Sequence, residues 1–391
     1  MGKAKYLWLT SWYPNRNDRF DGDFIQRHAQ AVSAFCEIQV IHVKKEQNEL
    51  DNQATEINRS ANLTENIIYY SSKNTGIAIL DKWISHRSYI RIYKKAITNY
   101  IRENGKPAAV HVHVAMKAGL LAVWIKRKWN IPFVVSEQWT GYLNEADNRF
   151  KDQAVWFQLG AKQVFQQANA VTVVSDLLGK SIQQNLPLIS YTVVPNLVNT
   201  SIFTYRTKVD KGTVFIHISN MTAQKNVEDI IRSMGLLKEQ YPDVKLKLFG
   251  PINPDLKQRV ISDGLQQQII FMGEQPQSIL AYALRAASAL ILYSRFETFG
   301  CVVIEANACG VPVIVSDIAV MHELVQPHIN GVLVKGGEPQ QLAAAMIQMI
   351  KEKNVYRPEQ IASTAAERFG YATVGKQFLE IYHQISSANR S

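Results

Sequence analysis

The sequence predicts an α/β protein made of two doubly wound parallel-sheet domains, and three observations predict it. Short apolar, β-branched runs alternate with amphipathic helical stretches along the whole 391-residue chain. The alternation lapses once, in a polar segment at Asn196–Gly212, and then restarts. The length also exceeds what one hydrophobic core ordinarily supports.

In the N-terminal half the predicted strands are Tyr6–Thr10, Ile38–Val43, Ile67–Tyr70, Ala109–Val114, Phe133–Ser136 and Ala170–Val174, and Tyr191–Pro195 closes the half. Near-continuous apolar runs of this kind are the mark of strands buried on both faces. Helices are expected at 22–35, 81–104, 118–129 and 150–168; Gly105 and Pro107 end the second of these. The polar stretch Lys44–Asn66 lacks periodicity and reads as an exposed excursion. After the lapse come strands at Thr213–Ile218, Val244–Phe249, Ile269–Met272, Ala289–Tyr293 and Val313–Ser316. Helices at 226–240, 255–263, 278–286, 340–351 and 372–386 accompany them. The expected division is a domain over 1–196, a linker over 197–212, a second domain over 213–370, and a last helix over 371–391 that crosses back to the first domain. A cleft between the two domains, closing about the linker, is the expected place for a ligand.

Composition narrows the function classes. Hydrophobic residues make up 47% and charged residues 19%, which describes a soluble globular chain rather than a disordered one. No apolar run approaches the ~20 residues that span a bilayer, and the apolar run at the start is too short for a signal peptide. Cys36, Cys301 and Cys309 have neither metal nor disulfide spacing, so a cytoplasmic location is expected. The net charge of +10 is uneven: residues 1–205 hold 24 Lys and Arg against 16 Asp and Glu. Much of that excess lies on the helix around 82–106, with Lys82, Arg87, Arg91, Lys94, Lys95, Arg102 and Lys106 beside Trp83, Tyr89 and Tyr93. It reads either as a solvated face or as a surface for anionic lipid on the inner side of a membrane. No nucleic-acid module is present.

The densest chemistry lies between two predicted strands, in Ser294-Arg295-Phe296-Glu297-Thr298-Phe299-Gly300-Cys301, continuing through Glu305 to Cys309-Gly310-Val311-Pro312-Val313. Glu297 falls on the loop at a strand's C-terminal end, where open α/β sheets bind ligands. Glu305 falls about a turn inside a short apolar helix, where a carboxylate is costly unless partnered. Backbone amides near Thr298, Phe299 and Gly300 sit at that helix's N-terminus, a ready anion site. Other fingerprints are missing. There is no Gly-x-Gly-x-x-Gly after a strand, Gly179-Lys180-Ser181 lacks the first glycine of a P-loop, and no Gly-x-Ser-x-Gly or His-Glu-x-x-His occurs.

The run from Glu297 to Val313 resembles the two-glutamate signature of retaining glycosyltransferases of the GT-B architecture, specifically glycosyltransferase family 4, the glycosyl transferases group 1. Further resemblances follow in order. They are Tyr13-Pro14, Gly22-Asp23-Phe24-Ile25 with His28-Ala29, His111-Val112-His113, Val194-Pro195-Asn196 with Val198 and Phe203, Lys225-Asn226, Leu248-Phe249-Gly250, and Glu367-Arg368-Phe369 through Tyr382.

The resemblance implies that the C-terminal domain binds a nucleotide-diphosphate sugar and the N-terminal domain a saccharide or lipid-linked saccharide acceptor. Lys225 would clamp the diphosphate, Glu297 the donor sugar's hydroxyls and Glu305 the nucleotide ribose. Thr298, Phe299, Gly300, Asn220 and Gly250 would line the donor side, and Gly22, His111, Glu137 and Gln138 the acceptor side. The family commonly carries an Arg where Asn220 stands, and often a His where Gln138 stands. Glu137 is the residue that a double displacement would use; same-face internal return needs no such nucleophile. His111 and His113, at a strand's end, are expected to point to opposite faces, at most one of them toward the cleft. No Asp-x-Asp pair follows a strand, so no essential metal and no cofactor beyond the donor is expected. Alternatives that the residues leave open are a catalytically silent GT-B assembly protein and a GT-B phosphorylase or epimerase.

Overall fold

The computed structural model describes residues 3–46, 53–72, 75–207, 212–352 and 354–388. The chain divides into two compact units, one made of 1–196 with 371–391 and the other of 197–370.

Unit 1 is built on an eight-stranded sheet: β1 (Lys5–Thr10), β2 (Glu37–Lys45), β3 (Ala54–Ser60), β4 (Leu63–Tyr70), β5 (Ala109–His113), β6 (Phe133–Glu137), β7 (Ala170–Val173) and β8 (Thr192–Val193). Their order is β3-β4-β2-β1-β5-β6-β7-β8, parallel throughout except for β3. The crossovers carry α1 (Asp23–Ser33), α2 (Ala78–Asn104), α3 (Gly119–Trp129), α4 (Val155–Gln167) and α5 (Asp176–Asn185). The core strands are buried at every position of β5 and β6.

Unit 2 has six parallel strands: β9 (Val214–Ile218), β10 (Lys245–Phe249), β11 (Ile269–Gly273), β12 (Ala289–Leu292), β13 (Val313–Ser316) and β14 (Gly331–Val334). Their order, β11-β10-β9-β12-β13-β14, is the 3-2-1-4-5-6 arrangement of nucleotide-binding doubly wound sheets. Helices α6 (Val227–Leu237), α7 (Pro254–Ser262), α8 (Gln277–Ala286), α9 (Cys301–Ala308), α10 (Met321–Leu324), α11 (Pro339–Lys351) and α12 (Pro358–Phe369) pack around it. The last helix, α13 (Tyr371–Ala388), belongs to unit 1, where it packs on α1 and stacks Tyr382 on Tyr6 with ring centroids 4.1 Å apart.

Three expectations differ from this architecture. The excursion at 44–66 contains β3, which pairs antiparallel with β4 from Ala54↔Tyr69 to Ser60↔Leu63. Its Thr55, Ile57 and Arg59 are exposed, so the strand carries no apolar signal of its own. The segment read as a linker is largely packed into unit 2. Leu197, Val198 and Phe203 are buried, and the Val198 amide donates to the Phe369 carbonyl at 2.9 Å; residues 208–211 lie outside the described residues.

The third difference is a correction. His111 and His113 share one face of β5, with ring centroids 4.2 Å apart, because side chains two apart on a strand point the same way. Both are fully buried: Trp8 packs on both, Phe378 and Tyr382 on His111, and His28 on His113.

Burial holds His28 and His42 neutral, with pKa values pushed down to about 4, and carries His111 and His113 well below the usual range. The unfolded chain releases these protons near pH 6.5. The contribution to stability is therefore complete above pH 6.5 and is lost as pH falls toward 4, where the unfolded state holds protons that the folded state refuses. Calorimetric unfolding at pH 5 in buffers of different ionisation enthalpy should register net proton uptake attributable to histidine. Uptake unchanged when His42 and His28 are replaced by Gln would contradict this account.

Candidate active site

In unit 2 the direction of the crossovers reverses between β9 and β12, and the two loops that leave these strands part around the site. The first runs from Ser219 to Asn226, and the second from Tyr293 to Gly300. A hydrogen-bond chain fixes them at their roots. Nδ1–H of His217 donates to the Ile291 carbonyl at 2.9 Å, because a carbonyl can only accept. Its Nε2 therefore accepts from Ser219 Oγ at 2.7 Å, and Ser219 Oγ in turn accepts from the Met221 amide at 3.0 Å. Burial, with the nearby Lys225 charge, pushes the His217 pKa down to about 4 and keeps the ring neutral. Gln224 stitches the loops further out: its Nε2 donates to the Phe296 carbonyl at 2.8 Å, and its own carbonyl accepts from the Arg295 amide at 2.8 Å.

On this frame stands an ion pair. Lys225 Nζ donates to Glu297 Oε1, which also accepts from Ser294 Oγ at 2.8 Å. Glu297 is buried and Lys225 is half-buried, so the pair is only partly desolvated. Lys225 ends a single 3-10 turn (Ala223–Lys225), and Asn226 turns the chain into α6 in a left-handed conformation. Gly300, at φ 108°, makes the turn into α9. That helix is apolar almost all round and buried, as such a helix must be, and it carries Glu305, also buried. Thr298, Phe299 and Gly300 form the N-terminal approach to α9.

Asn220 is exposed and holds Thr222 through its Oδ1, accepting from Thr222 Oγ1 at 3.0 Å. Gly250 ends β10 at φ 145°, and a Cβ added there would lie 1.9 Å from the Ser219 carbonyl oxygen. The sequence-expected residues Lys225, Glu297, Glu305 and Gly300 are thus gathered on two loops and one helix. His217 and Gln224 carry no sequence signal beyond their places beside the expected residues, and Ser294, the first residue of the glutamate motif, has no role assigned from the sequence.

In unit 1, Gly22 caps α1 at φ 67°, its α-carbon close against the Trp12 backbone. His111, expected on the acceptor side, lies in the core of unit 1. Its Nδ1 is 2.6 Å from Tyr382 Oη, its Nε2 is 2.7 Å from Ser136 Oγ, and both partners lie in the core. Glu137 is buried with both carboxylate oxygens engaged on backbone: Oε2 accepts from the Ala115 amide at 3.0 Å, and Oε1 from the Gln138 and Trp139 amides at 2.8 and 2.9 Å. Burial raises its pKa, and these three amides offset part of the rise. Gln138 is buried beside it, and among the described residues its Nε2 has no hydrogen-bond partner. No group of three or more His, Cys, Asp or Glu side chains that could hold a metal occurs among the described residues.

Residues 200–368 match the model of the family described as glycosyl transferases group 1, and residues 85–196 match that of the glycosyl transferase 4-like domain. Residues 200–368 are thus a domain of the glycosyl transferases group 1, and residues 85–196 a glycosyl transferase 4-like domain. Among curated relatives, N-acetyl-alpha-D-glucosaminyl L-malate synthase of Bacillus anthracis is 29% identical over 176 residues. That match covers 44% of this chain and 45% of the relative, so the chain spans less than half of the synthase. D-inositol 3-phosphate glycosyltransferase of Thermobispora bispora is 24% identical over 321 residues, covering 73% and 72% of the two chains. Among solved structures, sucrose-phosphate synthase from Thermosynechococcus elongatus superposes with a TM-score of 0.78 at 16% identity, covering 98% of this chain and 100% of that one. Anabaena Alr3699/HepE, solved in complex with UDP-glucose, gives 0.68 at 17% identity, covering 97% and 99%. The fold of this chain is GT-B.

Gly250→Ala should collide with the Ser219 carbonyl and disturb the loop that carries Lys225. A loss of at least about 2 kcal/mol is expected from overpacking at a positive φ, measured by urea denaturation. Gly336→Ala, which meets open space, should change stability by less than about 0.5 kcal/mol. Equal stability of the two variants would sink the argument.

Proposed function

We propose that this chain is a retaining, metal-independent glycosyltransferase. It moves a sugar from a nucleotide-diphosphate donor held by unit 2 to a saccharide or lipid-linked saccharide acceptor held by unit 1. The observation that carries this reading is the Lys225–Glu297 pair at the strand reversal of unit 2, with Glu305 on the adjoining helix.

Each member of that pair presents one chemistry the donor needs. The lysine ammonium can exchange its carboxylate for the β-phosphate, and the freed carboxylate can take two donor-sugar hydroxyls. The pair thus holds the site charge-balanced before the donor arrives. Glu305 fits the role of ribose anchor, and the N-terminus of α9 adds amides and dipole to the phosphates.

In the reaction, the bond from the anomeric carbon to the diphosphate oxygen breaks, and the acceptor oxygen bonds to that carbon on the same face. The acceptor's proton goes to the departing phosphate oxygen. Lys225 stabilises the charge that develops there. Glu137 argues against a double displacement, since both of its oxygens hold backbone amides. Gln138, with its unpartnered amide nitrogen, is the polar group of unit 1 best suited to touch a sugar.

The relatives and neighbours favour a sugar-nucleotide donor, since Alr3699/HepE was solved with UDP-glucose. Synthesis of a cell-surface polysaccharide or glycolipid, on the inner face of a membrane, is the setting that fits best. The start of α2 supports it, because Ile79 and Trp83 are 83% and 53% exposed beside Lys82 and Arg87. The Arg87 guanidinium lies 4.5 Å over the Trp83 ring, as in a cation-rich interfacial helix.

Incubation with a panel of UDP-, GDP- and other activated sugars, with and without EDTA, tests the main reading. Nucleotide release and a ligand-induced thermal shift are expected, unaffected by EDTA, and the product should keep the donor's anomeric configuration by NMR. Binding of no activated sugar would remove the transferase reading, EDTA inhibition the metal-free one, and an inverted product the retaining one. Glu297→Ala should cut turnover more than it cuts nucleoside-diphosphate affinity, whereas Glu305→Ala should weaken the nucleotide itself; the opposite pattern would exchange their roles.

Co-sedimentation with liposomes tests the setting. It should require anionic lipid, weaken with salt and fall when Trp83 and Ile79 are replaced by Ser. Equal binding to neutral vesicles would refute the basic helix as the contact.

A further inference from the structure

Unit 1 has a trough that the reaction above does not use. It lies on the face of the sheet beyond α2, away from the strand ends that carry Gly22 and Glu137. Because β3 and β4 extend the sheet past the helix, three cross-strand rows stay open on that face: Gln39–Thr64–Arg59, Ile41–Asn66–Ile57 and Ile68–Thr55. The opposite face of β4 turns Glu65 inward instead, where it accepts from Tyr13 and from Gln26 of α1. The other wall of the trough is one face of α2, from Ile92 to Asn104. The cavity holds about 580 Å³, within the range of small-molecule sites. A second cavity of about 130 Å³ continues it past the β3–β4 turn and shares Gln39, Thr64, Tyr100 and Asn104 with it.

The lining names the ligand class. Five residues are amides: Gln39, Gln53, Asn66, Asn99 and Asn104. An amide offers donors and an acceptor in one plane, which suits a hydroxyl that both donates and accepts. Thr55 and Thr64 add hydroxyls, and Ile57, 52% exposed, offers an apolar side chain to a sugar's C–H face. Charge is sparse: Arg59 and Lys95 against Glu103. Among the described residues, Oδ1 of Asn66 is buried in this lining without a hydrogen-bond partner, so an acceptor awaits a donor there. The trough is long rather than round, since the rows along β4 follow the strand at about 3.3 Å per residue.

We propose that this trough is a second saccharide-binding site, which holds a neutral oligosaccharide portion of the acceptor at a distance from the reacting end. The claim that the bound glycan is acceptor rests on the glycosyltransferase reading; the claim that the trough binds glycan does not. It implies an acceptor several sugars long.

The intact chain is titrated with neutral tetrasaccharides (α-glucan, β-glucan, galactan and mannan), with a sulfated tetrasaccharide as the anionic comparison, by calorimetry and saturation-transfer NMR. At least one neutral probe should bind. Asn66→Ala and Asn99→Ala should each weaken it roughly tenfold, and Thr55→Trp, on an exposed position of the edge strand, should block it. Donor-induced thermal shifts should be unchanged in all three variants. Binding of no neutral probe, binding of the sulfated probe alone, or binding indifferent to all three substitutions overturns the inference. Neutral-probe binding in a protein that takes no activated sugar would instead leave the trough standing and remove the transferase reading. Asn66 is partly buried, so Asn99→Ala and Thr55→Trp keep the test decisive if its variant does not fold.

Discussion

Parallel strands cannot be joined by a tight turn, and the geometry of unit 2 follows from that constraint. Each strand must be reached by a crossover, and the crossovers run one way from β9 through β11 and the other way from β12 through β14. At the reversal, neighbouring loops turn to opposite faces and part. His217 keeps their roots in register by donating to the Ile291 carbonyl. Without that bond a buried imidazole N–H would be unpaired beside a strand that needs its carbonyl satisfied. The charged residues sit on the loops, but the neutral histidine below them sets where the loops start.

The same economy of polar groups distinguishes Glu297 from Glu137. Glu297 is held by a hydroxyl and an ammonium, both side-chain donors that can turn toward another acceptor. Glu137 is held by three backbone amides, which cannot turn without unfolding the loop after β6. A carboxylate with exchangeable partners suits ligand exchange. One tied to fixed partners suits shaping a loop, here the loop that presents Gln138.

Much of this was legible in the chain. The buried strands announced themselves because parallel strands covered on both faces must be apolar without interruption, and Val313–Ser316 falls at its predicted bounds. The edge strand β3 stayed hidden because an exposed strand needs no apolar residues. The Glu297–Thr298–Phe299–Gly300 motif marked the loop and the turn into α9, since a glycine before an apolar helix has few other uses. Its ion pair was not legible, because Lys225 is 72 residues away and only the strand order brings it near. The histidines of β5 went wrong at the level of geometry: two residues apart on a strand means one face, and that face is the core. The three amides on Glu137 could not be read either, since backbone donors leave no mark in the sequence.

The return of α13 to unit 1 has a consequence for synthesis. His111 meets Tyr382 at 2.6 Å across 271 residues, and Tyr6 has no stacking partner until the same helix exists. A chain leaving the ribosome presents its N-terminal residues first, yet unit 1 cannot close until its last helix has emerged. Unit 2 lies wholly between, so it is the first to possess all of its own parts. Unit 1 is completed only after unit 2, and until then His111 lacks the Tyr382 hydroxyl that meets its Nδ1 and the Phe378 ring packed against it.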